Sequence, residues 1–137
     1  MTNSVTNEYL HQDITEGIIT SILYECGMPG RLTGYAMIIE SAMIVAADRN
    51  KGNKIHENIY KTLAECFDMR PINVERNIRY AIEKTYEEGS IPGMHKYFGN
   101  LTKRTTGKVG NKEFIIRLAD LTRQRMAKMQ LDETWES

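Results

Sequence analysis

The sequence has few of the residues that mark secreted, membrane-spanning or metal-binding proteins. Its 137 residues include only two cysteines and three prolines. Cys26 and Cys66 lie at no C-x-x-C spacing, so we expect buried, reduced thiols and neither a disulfide framework nor a zinc site. No apolar run reaches the roughly 18 residues that cross a bilayer, and the polar start, MTNSVTNEYLHQD, is no signal peptide. We therefore expect a cytoplasmic protein that makes no contact with a membrane.

The sequence also lacks the motifs of common enzymes. Its three histidines, His11, His56 and His95, are far apart and form no H-E-x-x-H pattern. The loop from Gly99 to Lys108 does not have P-loop spacing, and Val109 stands where that motif needs Ser or Thr. We therefore expect no catalytic residues, no metal site and no cofactor.

The formal net charge is zero, but the charge is unevenly distributed. Residues 1–95 carry nine Lys and Arg against thirteen Asp and Glu, a balance of −4. Residues 96–125 carry eight Lys and Arg against Glu113 and Asp120, a balance of +6. The basic side chains of this block are Lys96, Lys103, Arg104, Lys108, Lys112, Arg117, Arg123 and Arg125. Because phosphates are contacted by a local basic surface, this block is a candidate for contact with a nucleic-acid backbone, although an ordinary solvated surface stays an alternative.

Helix-forming residues dominate the composition, and no segment shows the sustained apolar/polar alternation of a strand. We predict an all-α fold, with a single compact domain of about six helices over residues 13–128. A polar segment, residues 1–12, precedes this domain, and a frayed tail is expected at residues 129–137. Apolar spacing predicts helices at residues 13–26, 31–47, 56–67, 71–88 and 112–128, with one or two short turns at 92–98.

Residues 61–88 have the pattern of two short helices joined by a tight turn. In the first helix, Leu63, Ala64 and Phe67 recur at helical spacing. Asp68 stands at the turn, where Asp tolerates a left-handed backbone, and Pro71 suits the first position of the next helix. This arrangement predicts a helix-turn-helix, with a plain helical hairpin as the alternative.

The second of these helices separates apolar from polar side chains. Val74, Ile78, Ala81, Ile82 and Thr85 share one face. Asn73, Arg76, Arg79, Tyr80 and Glu83 project roughly the other way. A recognition helix normally presents its N-terminal turns to the base edges, and the donor-rich half is at that end. This layout favours a nucleic-acid partner.

Three segments of the chain carry a family resemblance. They are ITSILYECGMPGRLTGY at 19–35, NVERNIRYAIE at 73–83 and FGNLTKRTTGKVGNKEFIIRLAD at 98–120. Together they resemble the C-terminal DNA-binding domain of the sporulation initiation response regulator, stage zero sporulation protein A. The resemblance implies an all-helical domain with a helix-turn-helix that binds double-stranded DNA boxes of the TGTCGAA type. It also implies binding as tandem copies, and hence a homodimer on paired boxes.

The resemblance extends to some base-reading residues and not to others. The family reads bases through an R-V-E-R run, of which Glu75 and Arg76 match the last two positions. Asn73 stands where the run has its first Arg, and Arg70 stands where the family has a helix-capping Thr. Arg suits guanine and Asn suits adenine, so we expect an altered box.

The leading hypothesis is a sequence-specific transcription regulator that binds double-stranded DNA. Asn73 and Arg76 would read base edges, while Glu75 would accept from cytosine or orient Arg76. Seven residues would flank the groove or hold phosphates: Arg70, Arg79, Tyr80, Lys103, Arg104, Lys108 and Lys112. The segment before the first helix is too short for the family's receiver domain, so if this sequence is the whole gene product we expect control by expression level, a partner or a small ligand.

A helical protein-interaction module that binds or antagonises a related regulator is the alternative. Three observations favour it: the overall neutrality, the departure at Asn73, and the acidic residues Glu83, Glu87 and Glu88 on the outer face of the helix.

Overall fold

The computed structural model describes residues 4–136 of the chain, and the side chains of residues 8–130. Within these limits the chain forms α-helices and no strands, which confirms the predicted all-α fold. The α-helices are α1 Ser4–Cys26, α2 Thr33–Ala47, α3 Lys61–Cys66, α4 Pro71–Glu88, α5 Ile91–Phe98 and α6 Asn111–Glu136. Short 3-10 segments occur at Arg49–Lys54 and Gly99–Leu101, and a π-helical turn, His56–Tyr60, leads directly into α3.

The helix α2 lies at the centre of the fold because it is apolar on most of its surface. Met37, Ile38, Ala42 and Val45 are fully buried, and α2 contacts α1, α3, α4 and α6. At Gly34 the crossing with α4 is so close that an added Cβ would lie 2.1 Å from the carbonyl oxygen of Asn77. The central helix therefore sets the position of α4 directly.

The first and last helices are longer than the sequence predicted. The helix α1 begins at Ser4 instead of Asp13, and α6 continues to Glu136 instead of ending near Lys128. The predicted polar segment and frayed tail are thus helical over the residues that the structure describes. The added turns lie beside each other, since His11 of α1 and Met129 of α6 line the same pocket. The predicted domain limits, 13–128, stay a prediction, and the Trp135 side chain lies outside the described residues.

One of the two predicted buried thiols is exposed. Cys26 is fully buried, and burial raises its pKa to about 12. Cys66 is exposed at the end of α3, whose buried positions are Leu63 and Ala64. The prediction for Cys66 was wrong because so short a helix buries only one narrow stripe of side chains.

A polar cluster ties α1 to α5 and α6. The carboxylate of Glu25 accepts hydrogen bonds from Tyr97, from Lys96 at 3.2 Å and from Arg125 at 3.3 Å. Arg125 also donates to the Tyr97 hydroxyl at 2.7 Å. These donors, the Tyr97 hydroxyl first among them, lower the pKa of Glu25 to about 2. The cluster therefore favours the ionised carboxylate in the folded protein.

Candidate nucleic-acid interface

The turn between α3 and α4 has the local features that the sequence predicted. Asp68 adopts a left-handed backbone with φ of 51°, and Pro71 occupies the first turn of α4. The backbone N–H of Met69 donates to the carbonyl of Ala64 at 2.9 Å, which closes the end of α3. Arg70 precedes α4 in an extended conformation and makes no side-chain cap, as expected of a poor capping residue.

The apolar face of α4 is buried as predicted. Its buried residues are Val74, Ile78, Ala81, Ile82 and Thr85. Since this face packs on α2 and α3, the opposite face is presented to solvent. The two helices and their turn therefore form the predicted helix-turn-helix.

The exposed face of α4 carries an arginine that has no partner in the described part of the chain. Arg76 is exposed and makes no hydrogen bond or ion pair with any residue that the structure describes. The side-chain amide of Asn73 likewise has no partner among the described residues, while the backbone carbonyl of Asn73 accepts from the side chain of Asn77 at 2.8 Å. Tyr80 is 50% exposed and lines the same shallow depression as Asn73 and Arg76. Four of the predicted site residues are thus neighbours on one surface, since Arg79 lines this depression as well.

Glu75 is oriented differently from the other predicted base-reading residues. It is half-buried and forms an ion pair with Arg79 at 2.5 Å, one turn along α4. In this structure Glu75 therefore holds Arg79 and not Arg76. Contact of Glu75 with a cytosine stays a prediction.

The loop before α6 brings basic side chains to the flank of α4. Lys103 and Lys108 line a cleft that also includes Arg79 and Glu75. The loop is closed by two backbone hydrogen bonds, from Lys103 to the carbonyl of Lys108 at 2.9 Å and from Gly107 to the carbonyl of Lys103 at 2.8 Å. A left-handed glycine, Gly107 with φ of 67°, permits this tight closure.

The loop is also fastened to α4 through its last residues. The backbone N–H of Val109 donates to the hydroxyl of Tyr86 at 3.1 Å. Arg104 is exposed on the same loop and has no partner among the described residues. Lys112 faces another direction, since its amine donates to the carbonyl of Asn53 at 3.3 Å.

The basic block of residues 96–125 does not form one continuous surface. Lys96 and Arg125 pair with Glu25, and the guanidinium of Arg117 donates to the carbonyl of Tyr97 at 3.0 Å. These side chains hold helices together, so only the loop portion of the block lies beside α4.

Asn111 is a positioning residue that the sequence did not reveal. It is the first residue of α6, and its amide donates to the Tyr60 hydroxyl at 3.1 Å and to the carbonyl of Glu75 at 3.0 Å. Burial raises the pKa of Tyr60, which keeps its hydroxyl protonated. No spacing rule could have found this link, because its partners are 51 and 36 residues away along the chain.

Ile72 was also missed, although a helical wheel could have found it. It is 41% exposed and lies on the same face of α4 as Arg76. Apolar residues are normally assigned to the core in such a wheel, which is why the sequence pattern did not single it out.

Residues 19–121 match a protein family described as sporulation initiation factor Spo0A C terminal. The match covers well over half of the chain and includes α2 to α5, whereas α1 begins before it and α6 ends beyond it. No helix among the described residues is long and apolar enough to span a membrane. The match agrees with the resemblance carried by the three sequence segments. The chain therefore belongs to the family of Spo0A C-terminal domains, a DNA-binding regulatory domain family of sporulation.

Proposed function

We propose that the chain binds double-stranded DNA in a sequence-specific manner and regulates transcription, with α4 as its recognition helix. The observation that carries the proposal is Arg76, an exposed arginine on the solvent face of α4 with no partner among the described residues. A guanidinium in this position is available for the bidentate contact with guanine O6 and N7 that a major groove offers. Asn73, beside it, presents an unengaged amide that suits adenine.

The surroundings of α4 supply the basic groups that a DNA backbone needs. Lys103 and Lys108 flank α4 on one side, and Arg104 extends from the same loop. Arg70 is exposed at the start of α4. Contacts of this kind fix the register of a protein on the duplex without reading its sequence.

The remaining assigned residues have structural partners as well as proposed roles. Arg79 would reach a phosphate after separating from Glu75, Tyr80 would flank the groove, and Lys112 would contact the backbone beyond the loop. The DNA box would be related to TGTCGAA and altered at the position that Asn73 reads. We further propose that two copies bind paired boxes, and that the protein acts in the cytoplasm, where it meets the nucleoid.

The test is a selection of random duplex DNA on the purified chain, followed by titration of the winning box against salt. Arg76→Ala should lose the preference at one guanine, which corresponds to about 1–3 kcal/mol of discrimination. Lys108→Ala should weaken all sequences alike and reduce the salt slope by about one.

Arg123→Ala is the matched control for Arg76→Ala. Arg123 is an exposed arginine without a partner among the described residues. It lies about 18 Å along α6 from Asn111, the residue of α6 that contacts α4 at Glu75. This control removes the same charge and should keep the box preference. No enriched box, or an unchanged preference in Arg76→Ala, would contradict the proposal and direct the search to a protein partner.

A further inference from the structure

An apolar side chain lies within the polar face that α4 presents to solvent. Ile72 is 41% exposed and is not among the apolar side chains that pack on the core. Its neighbours in sequence Met69 and Val74 do pack on the core. Core packing therefore does not account for an isoleucine at this position.

The position of Ile72 on the helix relates it to Arg76. At 3.6 residues per turn, Ile72 lies about 40° around α4 from Arg76 and one turn nearer the N-terminus. Side chains four residues apart on a helix have Cβ atoms about 5–6 Å apart. Because base pairs are stacked at about 3.4 Å, the two side chains face base edges one or two steps apart.

The major groove presents one apolar group that an isoleucine side chain can contact. Each base pair presents hydrogen-bonding groups there, and thymine alone adds a methyl group, at C5. A branched aliphatic side chain has no hydrogen-bonding group and gains from contact with that methyl through burial of apolar surface. A serine, asparagine or arginine at this position would instead form a hydrogen bond with a donor or acceptor on a base edge.

We propose that Ile72 is a specificity-determining residue that reads the methyl group of a thymine, one or two base pairs from the guanine read by Arg76. This inference rests on the proposed function, since it needs α4 in the major groove. It assigns a further position of the DNA box to a residue that carries no polar group.

The experiment replaces each thymine of the selected box by uracil, one at a time. Uracil lacks the C5 methyl and keeps the hydrogen-bonding groups of the base pair. The wild-type chain should bind about fourfold more weakly when one particular thymine is replaced, the factor for burial of about one methyl group. Ile72→Ala should bind the thymine and uracil forms of that position equally well.

Ile91→Ala is the matched control, because Ile91 is an isoleucine on α5 with 56% exposure. It should keep the wild-type response to uracil. Circular dichroism of both variants would verify the fold, and the uracil scan of the wild-type chain is informative even if a variant fails to fold.

The outcomes separate this inference from the proposed function. If every uracil box binds the wild-type chain as tightly as the thymine box, or if Ile72→Ala keeps the loss, Ile72 does not read a methyl. In that case the guanine preference removed by Arg76→Ala would still stand. A selection that enriches no box would overturn both proposals together.

Discussion

Gly34 lies where α2 crosses α4, and we expect Gly34→Ala to destabilise the protein. A Cβ at this position would lie 2.1 Å from the carbonyl oxygen of Asn77 and 2.8 Å from the Cβ of Ala81. Real Cβ atoms essentially never approach another heavy atom closer than 3.0 Å. The two helices would therefore have to separate by about 1 Å at the crossing, because backbone cannot rotate away as a side chain can.

The size of the effect follows from two opposing contributions. Overpacking a well-packed core costs about 1–3 kcal/mol, and contact with backbone places this case in the upper part of that range. Alanine is the better helix former by up to about 1 kcal/mol, which offsets part of the cost. We expect a net decrease of about 2 kcal/mol in the free energy of unfolding.

The measurement is urea-induced unfolding followed by circular dichroism, with Gly17→Ala as the control. Gly17 lies within α1, and a Cβ there would meet no atom within 4 Å. Gly17→Ala should therefore raise the free energy of unfolding by about 0.5–1 kcal/mol. If Gly34→Ala proved as stable as the wild-type protein, the close α2–α4 crossing, and with it the described position of α4, would be wrong.

Two further predictions concern contacts that join distant parts of the chain. Asn111→Ala removes the hydrogen bonds to Tyr60 and Glu75 and should lower the free energy of unfolding by about 1–2 kcal/mol in a thermal unfolding scan. The control is Asn100→Ala, at an exposed residue, which should change the free energy of unfolding little in the same scan. The pKa of Glu25 is about 2 in the folded protein, below its ordinary value of 4.5. The ionised carboxylate therefore stabilises the folded protein fully above about pH 4.5, and this contribution is lost as the pH falls toward 2. Urea midpoints should therefore fall less in Glu25→Gln than in the wild-type protein between pH 6 and pH 3, and equal decreases would contradict this role.

Local chemistry accounts for the parts of the site that the sequence predicted. The left-handed turn at Asp68 and the start of α4 at Pro71 depend only on the backbone preferences of those residues. The buried stripe of α4 follows from helical periodicity, and with it the exposure of Arg76 and Asn73. Short-range preferences and a single period were sufficient for these features.

Features that depend on distant partners could not be predicted in this way. The added turns of α1 and α6 lie beside each other at a pocket lined by His11 and Met129, which are far apart in the sequence. Neither segment has an apolar pattern strong enough to predict a helix alone. The same limit applies to Asn111, whose contacts are with Tyr60 and Glu75.

The acidic end of α4 is less repulsive to DNA than its sequence suggests. Glu88 forms an ion pair with Arg31 at 2.9 Å, and Glu87 forms one with Lys84 at 3.0 Å. Only Glu83 of this acidic group is without a partner among the described residues. Because a paired carboxylate presents little net charge beyond its partner, and salt screens the remainder within about 8 Å, Glu87 and Glu88 add little to the field at the N-terminal half of α4. Glu87 and Glu88 thus give little support to a protein-interaction module once their partners are known, and Glu83 alone of the three still favours it.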